Sequence, residues 1–347
     1  MSARRSYCRA PDAARRRALA RVAAFGVAGL GTVLGMRGAN AAAAAVASGA
    51  ASTAAGTTAS AASKVPHRIV VMSWELGEML LSLGVVPVGM SLPDWYRETI
   101  IDPPLPAGVA DLGLLYQPNF EVLLALAPDL IVITAGHASA KPWFERIAPT
   151  LTLGLYRHAP DPYRALCGET STLATRLARP ERAAALIDAA ARTTGEVRAS
   201  LAAQPARRAR PVLVAELVDD RHLRVYGRGS LFDEMLGQIG VVNAANAAHP
   251  RDGGRPWPTE GGYALVPLQR LVDAREASLL LVGPVTPALR DGLESNAIWQ
   301  AVPAVRERRV TTLPVIAPYG GLVSMQRFVR AVNAALTLIE AGGGGVA

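Results

Sequence analysis

The chain reads as an α/β protein of two α/β lobes joined by a single long helix, and three observations predict this. A nine-residue phrase occurs twice, EMLLSLGVV at 78–86 and EMLGQIGVV at 234–242, with six of nine positions shared at a separation of 156 residues. Each copy follows a strand-like run, Arg68-Ile-Val-Val-Met72 or Leu223-Arg-Val-Tyr226, and ends on a Gly followed by Val-Val. Met79, Leu80 and Leu83, like Met235, Leu236 and Ile239, fall at helical spacing. Gly most readily takes the left-handed backbone that closes a helix, so each copy predicts strand, loop, helix, Gly stop and next strand. A looser second echo pairs Phe120-Glu-Val-Leu-Leu…Pro128-Asp-Leu-Ile-Val-Ile133 with Leu268-Gln-Arg-Leu…Ser278-Leu-Leu-Leu-Val282. Between the halves, 162–204 has no strand signal, and Glu181–Ala203 is one helical pattern with Leu186, Ile187, Ala190, Val197 and Leu201 on its apolar side. A helix of about 23 residues spans roughly 35 Å, enough to reach from one lobe to the other.

At the N-terminus, eight Arg and one Asp lie in residues 1–41, so the formal charge of +8 belongs almost wholly to that segment and the rest is nearly neutral. This removes a nucleic-acid reading of the basic balance. Arg15-Arg-Arg17, an apolar run from about Ala18 to Leu34, and Ala39-Asn-Ala41 predict a signal peptide over 1–41. Its form is that of a twin-arginine export address; the alternative is an ordinary secretory signal with a very basic start, and both take the mature protein out of the cytoplasm. Residues 42–64 are almost wholly Ala, Ser, Thr and Gly and predict a disordered linker. Cys8 lies in the leader, leaving Cys167 alone in the mature chain, so a Cys-based metal cluster or an intramolecular disulfide is excluded there.

The N-terminal lobe is expected over 65–160. Strand Arg68–Met72 leads through Ser73-Trp74 into the repeated helix, and Val85–Gly89 is a second strand. Asp94-Trp-Tyr-Arg97 reads as a polar-aromatic loop, and Asp111-Leu-Gly113 as turn-like. Asn119 is placed to cap a helix that has Glu121 in its first turn, where the helix dipole favours a carboxylate. Leu130–Thr134 is a buried strand, Trp143–Ile147 lies on a helix, and Thr150–Leu155 is another strand. A helical connector occupies 161–209. The C-terminal lobe, 210–347, is expected to carry strand Val212–Glu216, the second phrase, a long Gly/Pro-rich loop at 250–262, a helix Leu265–Val272, strand Leu279–Val282, a helix Asn296–Ala301, strand Val310–Leu313 and a final helix Leu322–Ala341.

The chain holds no Gly-x-Ser-x-Gly elbow, phosphate loop or dinucleotide fingerprint, and its five His are scattered without an i, i+4 pair. It does place aromatic and basic residues in the predicted strand-to-helix loops, which gather at one end of an α/β sheet and form its crevice. Trp74, Trp95, Tyr96, Arg97, Leu115, Tyr116, His137, Tyr226, Trp257, Tyr263 and Tyr319 all fall in or beside such loops. Each ring alone reads equally as a lid over the core; jointly they predict a half-apolar cleft for a bulky small molecule.

The motifs carry a resemblance. Arg68-Ile-Val, Trp74-Glu-Leu, Glu78-Met-Leu-Leu, Leu83-Gly-Val-Val-Pro87, Tyr96-Arg97, Pro103-Pro-Leu-Pro106, Asp111-Leu-Gly113, Pro118-Asn119, Ala135-Gly136, Arg221-His222, Gly229-Ser-Leu-Phe232 and Ser324-Met-Gln-Arg-Phe-Val329 occur in that order. Over about 65–340 the chain resembles the periplasmic iron(III)-hydroxamate (ferrichrome-type) siderophore-binding proteins of ABC transporters. The resemblance implies a helix-linked periplasmic binding protein, with a ligand held between the lobes and delivered to an inner-membrane permease and its ATPase. It also implies departures: Leu115 stands where such proteins place an Arg that grips hydroxamate oxygens, His137 where they place a Tyr, and Ala317 where a Trp is expected. Permease docking is implied for Glu121, whereas the matching second-lobe position reads Gln269.

The expected function is that of a monomeric, non-enzymatic, periplasmic binding protein for an iron(III)-siderophore. The siderophore rather than the protein satisfies the iron, so neither a cofactor nor a protein metal site is needed. The alternatives are a corrinoid or haem carrier of the same fold, haem favouring an axial ligand such as His137, and an exported enzyme.

Overall fold

The computed structural model describes residues 64–249, 251 and 253–346, all within one compact unit. The expected signal peptide over 1–41 and the expected linker up to Ser63 lie outside the described residues.

The apolar run Ile69–Val71 is buried at every position and forms β1. Helix α1, Trp74–Ser82, follows. Gly84 ends it with φ at 76°, its N–H bonding the carbonyl of Leu81 while that of Val85 reaches back to Leu80. These two bonds form a Schellman stop. The chain continues through β2 (Gly89–Met90), α2 (Pro93–Thr99), β3 (Ala110–Asp111), a small hairpin of β4 (Gly113–Leu114) and β5 (Gln117–Pro118), α3 (Phe120–Ala125), β6 (Leu130–Thr134), α4 (Lys141–Phe144) and β7 (Thr150–Leu153). The first sheet has the order β3-β2-β1-β6-β7 and is parallel throughout.

Three helices connect the lobes: α5 (Pro162–Arg176), α6 (Pro180–Ala202) and α7 (Pro205–Ala209). The second lobe contains β8 (Val212–Leu217), β9 (His222–Tyr226), α8 (Leu231–Gln238), β10 (Tyr263–Pro267), a 3-10 segment Leu268–Ala274, β11 (Ser278–Val282), α9 (Pro287–Glu294), α10 (Ala297–Ala301), α11 (Pro303–Arg306), β12 (Val310–Leu313) and α12 (Leu322–Glu340). Its sheet order is β10-β9-β8-β11-β12, with β9 antiparallel to both neighbours. The two echoes occupy matching places. The repeated phrase forms α1 and α8, and Gly240 repeats the Schellman stop, its N–H going to Gly237 and that of Val241 to Leu236. The looser echo leads into β6 and β11, each lying against the first strand of its sheet.

Several expectations change. The loop expected at 94–97 is helix α2, started by Pro93 and carrying Asp94 in its first turn and Arg97 in its last. The expected helix Leu265–Val272 is instead β10 followed by the 3-10 segment. Buried Ala264 and Val266 alternate with exposed Leu265 and Pro267, the period of a strand. Val85–Gly89 shrinks to the two-residue β2, and after the second phrase Val242–Asn243 makes only a single parallel bridge, Val212 to Asn243, rather than a strand. Strand β7 stops at Leu153 because Gly154 turns the chain with φ at 78°. The helix expected at 143–147 starts earlier, at Lys141, and ends at Phe144.

The core lies in three layers. Ile69, Val71, Leu130 and Val132 face a central cluster that includes α6 and α12 and reaches into the second lobe through Tyr226, Phe232 and Leu280. Val70, Met72, Ile131 and Ile133 face outward to Leu123 and Phe144, and Leu213, Ala215, Leu279 and Leu281 form the matching outer layer of the other lobe. Period-two alternation in each strand thus feeds two layers at once.

Candidate functional site

In a parallel sheet each strand releases the chain at the same edge. Trp74 and Glu75 open α1 after β1, His137 ends a short 3-10 turn after β6, and Arg157 lies in the turn 155–158 after β7. The turn bearing Arg157 is fixed from below: the Glu169 carboxylate on α5 accepts the N–H groups of Gly154 and Tyr156. In the second lobe, Glu216 stands near the C-terminal end of β8, Tyr319 lies in the loop between β12 and α12, and Arg224 and Tyr263 come from the β9–β10 ladder.

The two edges meet. The Arg157 guanidinium lies 4.0 Å from the centroid of the Tyr319 ring, across the lobes. The Tyr156 hydroxyl donates to the Tyr319 carbonyl at 2.6 Å. Arg157 also gives an Nη1–H to Glu75 at 3.5 Å, and Arg224 gives one to Glu216 at 2.9 Å, its register partner on β8. Arg224 stands 5.1 Å from the Tyr263 ring centroid. Burial raises the pKa of Tyr319, while Arg157 and Arg224 both pull against it, so the ring lies within the field of both guanidinium groups. A narrow crevice runs here, lined by Arg157, Ser230, Leu231, Gly261, Pro318 and Tyr319.

The first lobe also carries exposed aromatic surface. Trp74 and Trp95 are half-buried, with ring centroids 5.9 Å apart. Tyr116, 59% exposed, sits at the β4–β5 hairpin with its ring 5.2 Å from that of His137. Gly136 permits this: a Cβ there would come within 2.9 Å of the Tyr116 ring. His137 itself faces inward. Its Nδ1 accepts the Thr134 N–H at 3.2 Å, so the ring proton resides on Nε2, which donates to the Leu115 carbonyl at 2.8 Å. Burial holds its pKa below the ordinary 6.5 and the ring neutral. With both nitrogens committed to the protein, His137 offers no free lone pair to an axial metal bond.

Other singled-out residues lie elsewhere. Tyr96 is fully buried, its hydroxyl donating to the Pro103 carbonyl at 2.6 Å. Arg97 lies on the exposed side of α2, paired with Asp94 at 2.8 Å. Tyr226 is buried, edge-on to Phe232. Trp257 is buried in the second lobe's outer core, stacked on His249 at 4.1 Å. Leu115 is half-buried beside Tyr116, and Ala317 is buried below Tyr319 in the same loop. Glu121 and Gln269 are both exposed, each in the first turn after an echoed segment begins. Asn119 caps α3 as expected, accepting from Glu121 and Val122.

The seam is also built from residues the sequence reading passed over: Glu75, Arg157, Glu216 and Arg224. A signal existed for one pair. Glu216 and Arg224 are charged residues on otherwise apolar strands, between neighbours such as Ala215, Leu223 and Val225, and so break the pattern of the strand face they share with Val214 and Tyr226. Arg157 carried none, because its place depends on where β7 stops.

The geometry agrees with comparison to known proteins. Residues 69–317 match the family model described as periplasmic binding protein. The chain is 32% identical over 288 residues to the iron(3+)-hydroxamate-binding protein FhuD of Escherichia coli, covering 80% of this chain and 89% of that protein. It superimposes with a TM-score of 0.71 and 25% identity on the Fe3+–Desferal-bound siderophore-binding protein FhuD of Vibrio cholerae, covering 79% of this chain and 98% of that one. The petrobactin-binding protein YclQ of Bacillus subtilis shares the fold, with a TM-score of 0.61 at 21% identity over 78% of this chain and 92% of that one. The chain belongs to the periplasmic binding protein family.

Proposed function

We infer that this chain is the exported substrate-binding protein of an ABC importer, which captures an iron(III)-siderophore of hydroxamate type between its lobes and delivers it to an inner-membrane permease. The observation that carries this reading is the seam where Arg157 of one lobe lies on Tyr319 of the other and Arg224 lies by Tyr263, in a protein whose first lobe also presents the rings of Trp74, Trp95 and Tyr116. Rings offer apolar faces to a bulky chelate, and guanidinium groups donate to its oxygens. The named ligands of the E. coli and Vibrio relatives are a ferric hydroxamate and ferric Desferal. The commitment of both His137 nitrogens counts against a haem cargo.

The leader read in residues 1–41 supports a periplasmic location. Glu121 and Gln269, exposed on corresponding segments of the two lobes, are the docking points toward the permease. Titration of the mature protein with ferrichrome, followed by tryptophan fluorescence, tests the reading. Saturable quenching at micromolar ferrichrome or below supports it; quenching by cobalamin or haemin but not ferrichrome overturns it.

A further inference from the structure

The seam contains two copies of one small device. In the first lobe a guanidinium, Arg157, lies on a phenol ring, Tyr319, and pairs with a carboxylate, Glu75. In the second lobe Arg224 lies by Tyr263 and pairs with Glu216. Guanidinium carries five N–H donors in a rigid plane, and each Arg commits one Nη1–H to its carboxylate. The Nε of each is buried without a hydrogen-bond partner. About a third of each side chain, 33% and 35%, remains exposed. It is this exposed part of each Arg that leaves N–H groups open to acceptors from outside the protein. The ring faces and carboxylates hold both planes in place before anything binds, which limits the entropy lost on binding.

We propose that Arg157 and Arg224 are the two polar anchors of the ligand, one from each lobe, and that their paired carboxylates Glu75 and Glu216 tune the cleft to a ferric chelate whose iron core carries no net charge. This rests on the siderophore-binding reading above. The charge inventory carries the second half. The two ion pairs of the seam set two cations against two anions, burial holds the pKa of His137 below its ordinary value, and Arg97 is paired with Asp94. Three singly charged hydroxamates cancel the ferric charge and leave oxygens that accept hydrogen bonds. Three doubly charged catecholates leave a strongly anionic complex, which would press against Glu75 and Glu216 wherever it approached either guanidinium. The carboxylates thus act as the repulsive half of specificity.

Fluorescence titration with two probes, neutral ferrichrome and an anionic ferric tris-catecholate, on wild type, R157A, R224A, E75Q and E216Q tests the assignment. The wild type is expected to bind ferrichrome and to bind the tris-catecholate at least tenfold more weakly. Each Arg→Ala variant should lose about ten- to a hundredfold in ferrichrome affinity, the loss usual for a charge-assisted donor. E216Q and E75Q should each gain tenfold or more for the tris-catecholate, a change that misfolding cannot produce; E216Q, on a half-exposed strand end, keeps the test alive if buried Glu75 tolerates no change. Wild-type ferrichrome binding that survives both R157A and R224A intact overturns the assignment, as does equal wild-type affinity for the two probes. If the wild type binds neither, the siderophore reading itself has failed and this assignment falls with it.

Discussion

Glu78 is fully buried, yet it has three donors: the N–H groups of Gly321 and Ser324 at 2.8 Å and the Ser324 hydroxyl at 2.7 Å. It belongs to α1 of the first lobe, and its partners form the N-terminus of α12 in the second. The carboxylate therefore supplies the cap that Gly321, with no side chain, cannot, and it fixes the loop bearing Tyr319. Burial raises its pKa above the ordinary 4.5, against the opposing pull of those hydrogen bonds and of Arg327. Protonation then favours the folded state. The contribution is whole below about 4.5 and is lost as pH rises through the higher folded value. Glu78→Gln removes this titration, so the stability of wild type relative to E78Q should fall steadily as urea unfolding is repeated from pH 4 toward pH 8; a constant difference would refute the linkage. Glu78→Ala should cost about 3 kcal/mol or more, because buried donors lose their acceptor at about 1–3 kcal/mol each.

At the scale of elements, the repeated phrase makes one prediction twice. Gly84 and Gly240 have φ of 76° and 75°, and each closes its helix with the same pair of backbone bonds. Any L-residue there meets its own Cβ against the following carbonyl. Gly84→Ala and Gly240→Ala should each destabilise by about 1–2 kcal/mol, read as lowered urea midpoints with unchanged slope. A loss at one and not the other would mean that tertiary packing, not the helix stop, dictates the glycine. Elements with strong local signals were legible: α6 and α12 from apolar periodicity, β6 from an apolar run ahead of a turn, and α3 from its Asn119 cap. Short elements were not. Helix α2 depends on Leu92 adopting a left-handed φ of 54°, which no local preference announces, and β10 gains its identity from pairing with β9.

At the scale of the whole molecule, the long helix and the ties between the lobes predict little lobe motion on binding. Helix α6, 23 residues, runs as one piece against α12. Arg327 of α12 donates to the Ile100 carbonyl of the first lobe and to Val315 of the second, and Tyr156 and Arg157 hold Tyr319 across the seam. Closing the lobes by a hinge would bend a long helix and break these ties together. Small-angle scattering of the mature protein should show no measurable compaction on adding ferrichrome at saturation; a clear fall in radius of gyration would show that the lobes swing.

By itself the sequence determined what local patterns and repeated words can carry: two α/β lobes, the long helix between them, the matching helix stops, and a surplus of rings in loops at one end of each sheet. Only the tertiary structure decided which of those rings face the gap. Packing turns Tyr96 on α2, Tyr226 at the end of β9 and Trp257 into the interior, whereas Trp74 and Tyr319 keep exposed ring surface. The same rule separates Glu78 from Glu234. The two open matching phrases, but Glu78 becomes a buried link between lobes while Glu234 accepts a bond from Gln238 on its own helix. Arg157 became legible only once distant chain segments met, because a charge gains its role from the acceptors and ring faces around it, and its carboxylate, Glu75, lies 82 residues away while its ring, Tyr319, comes from the other lobe.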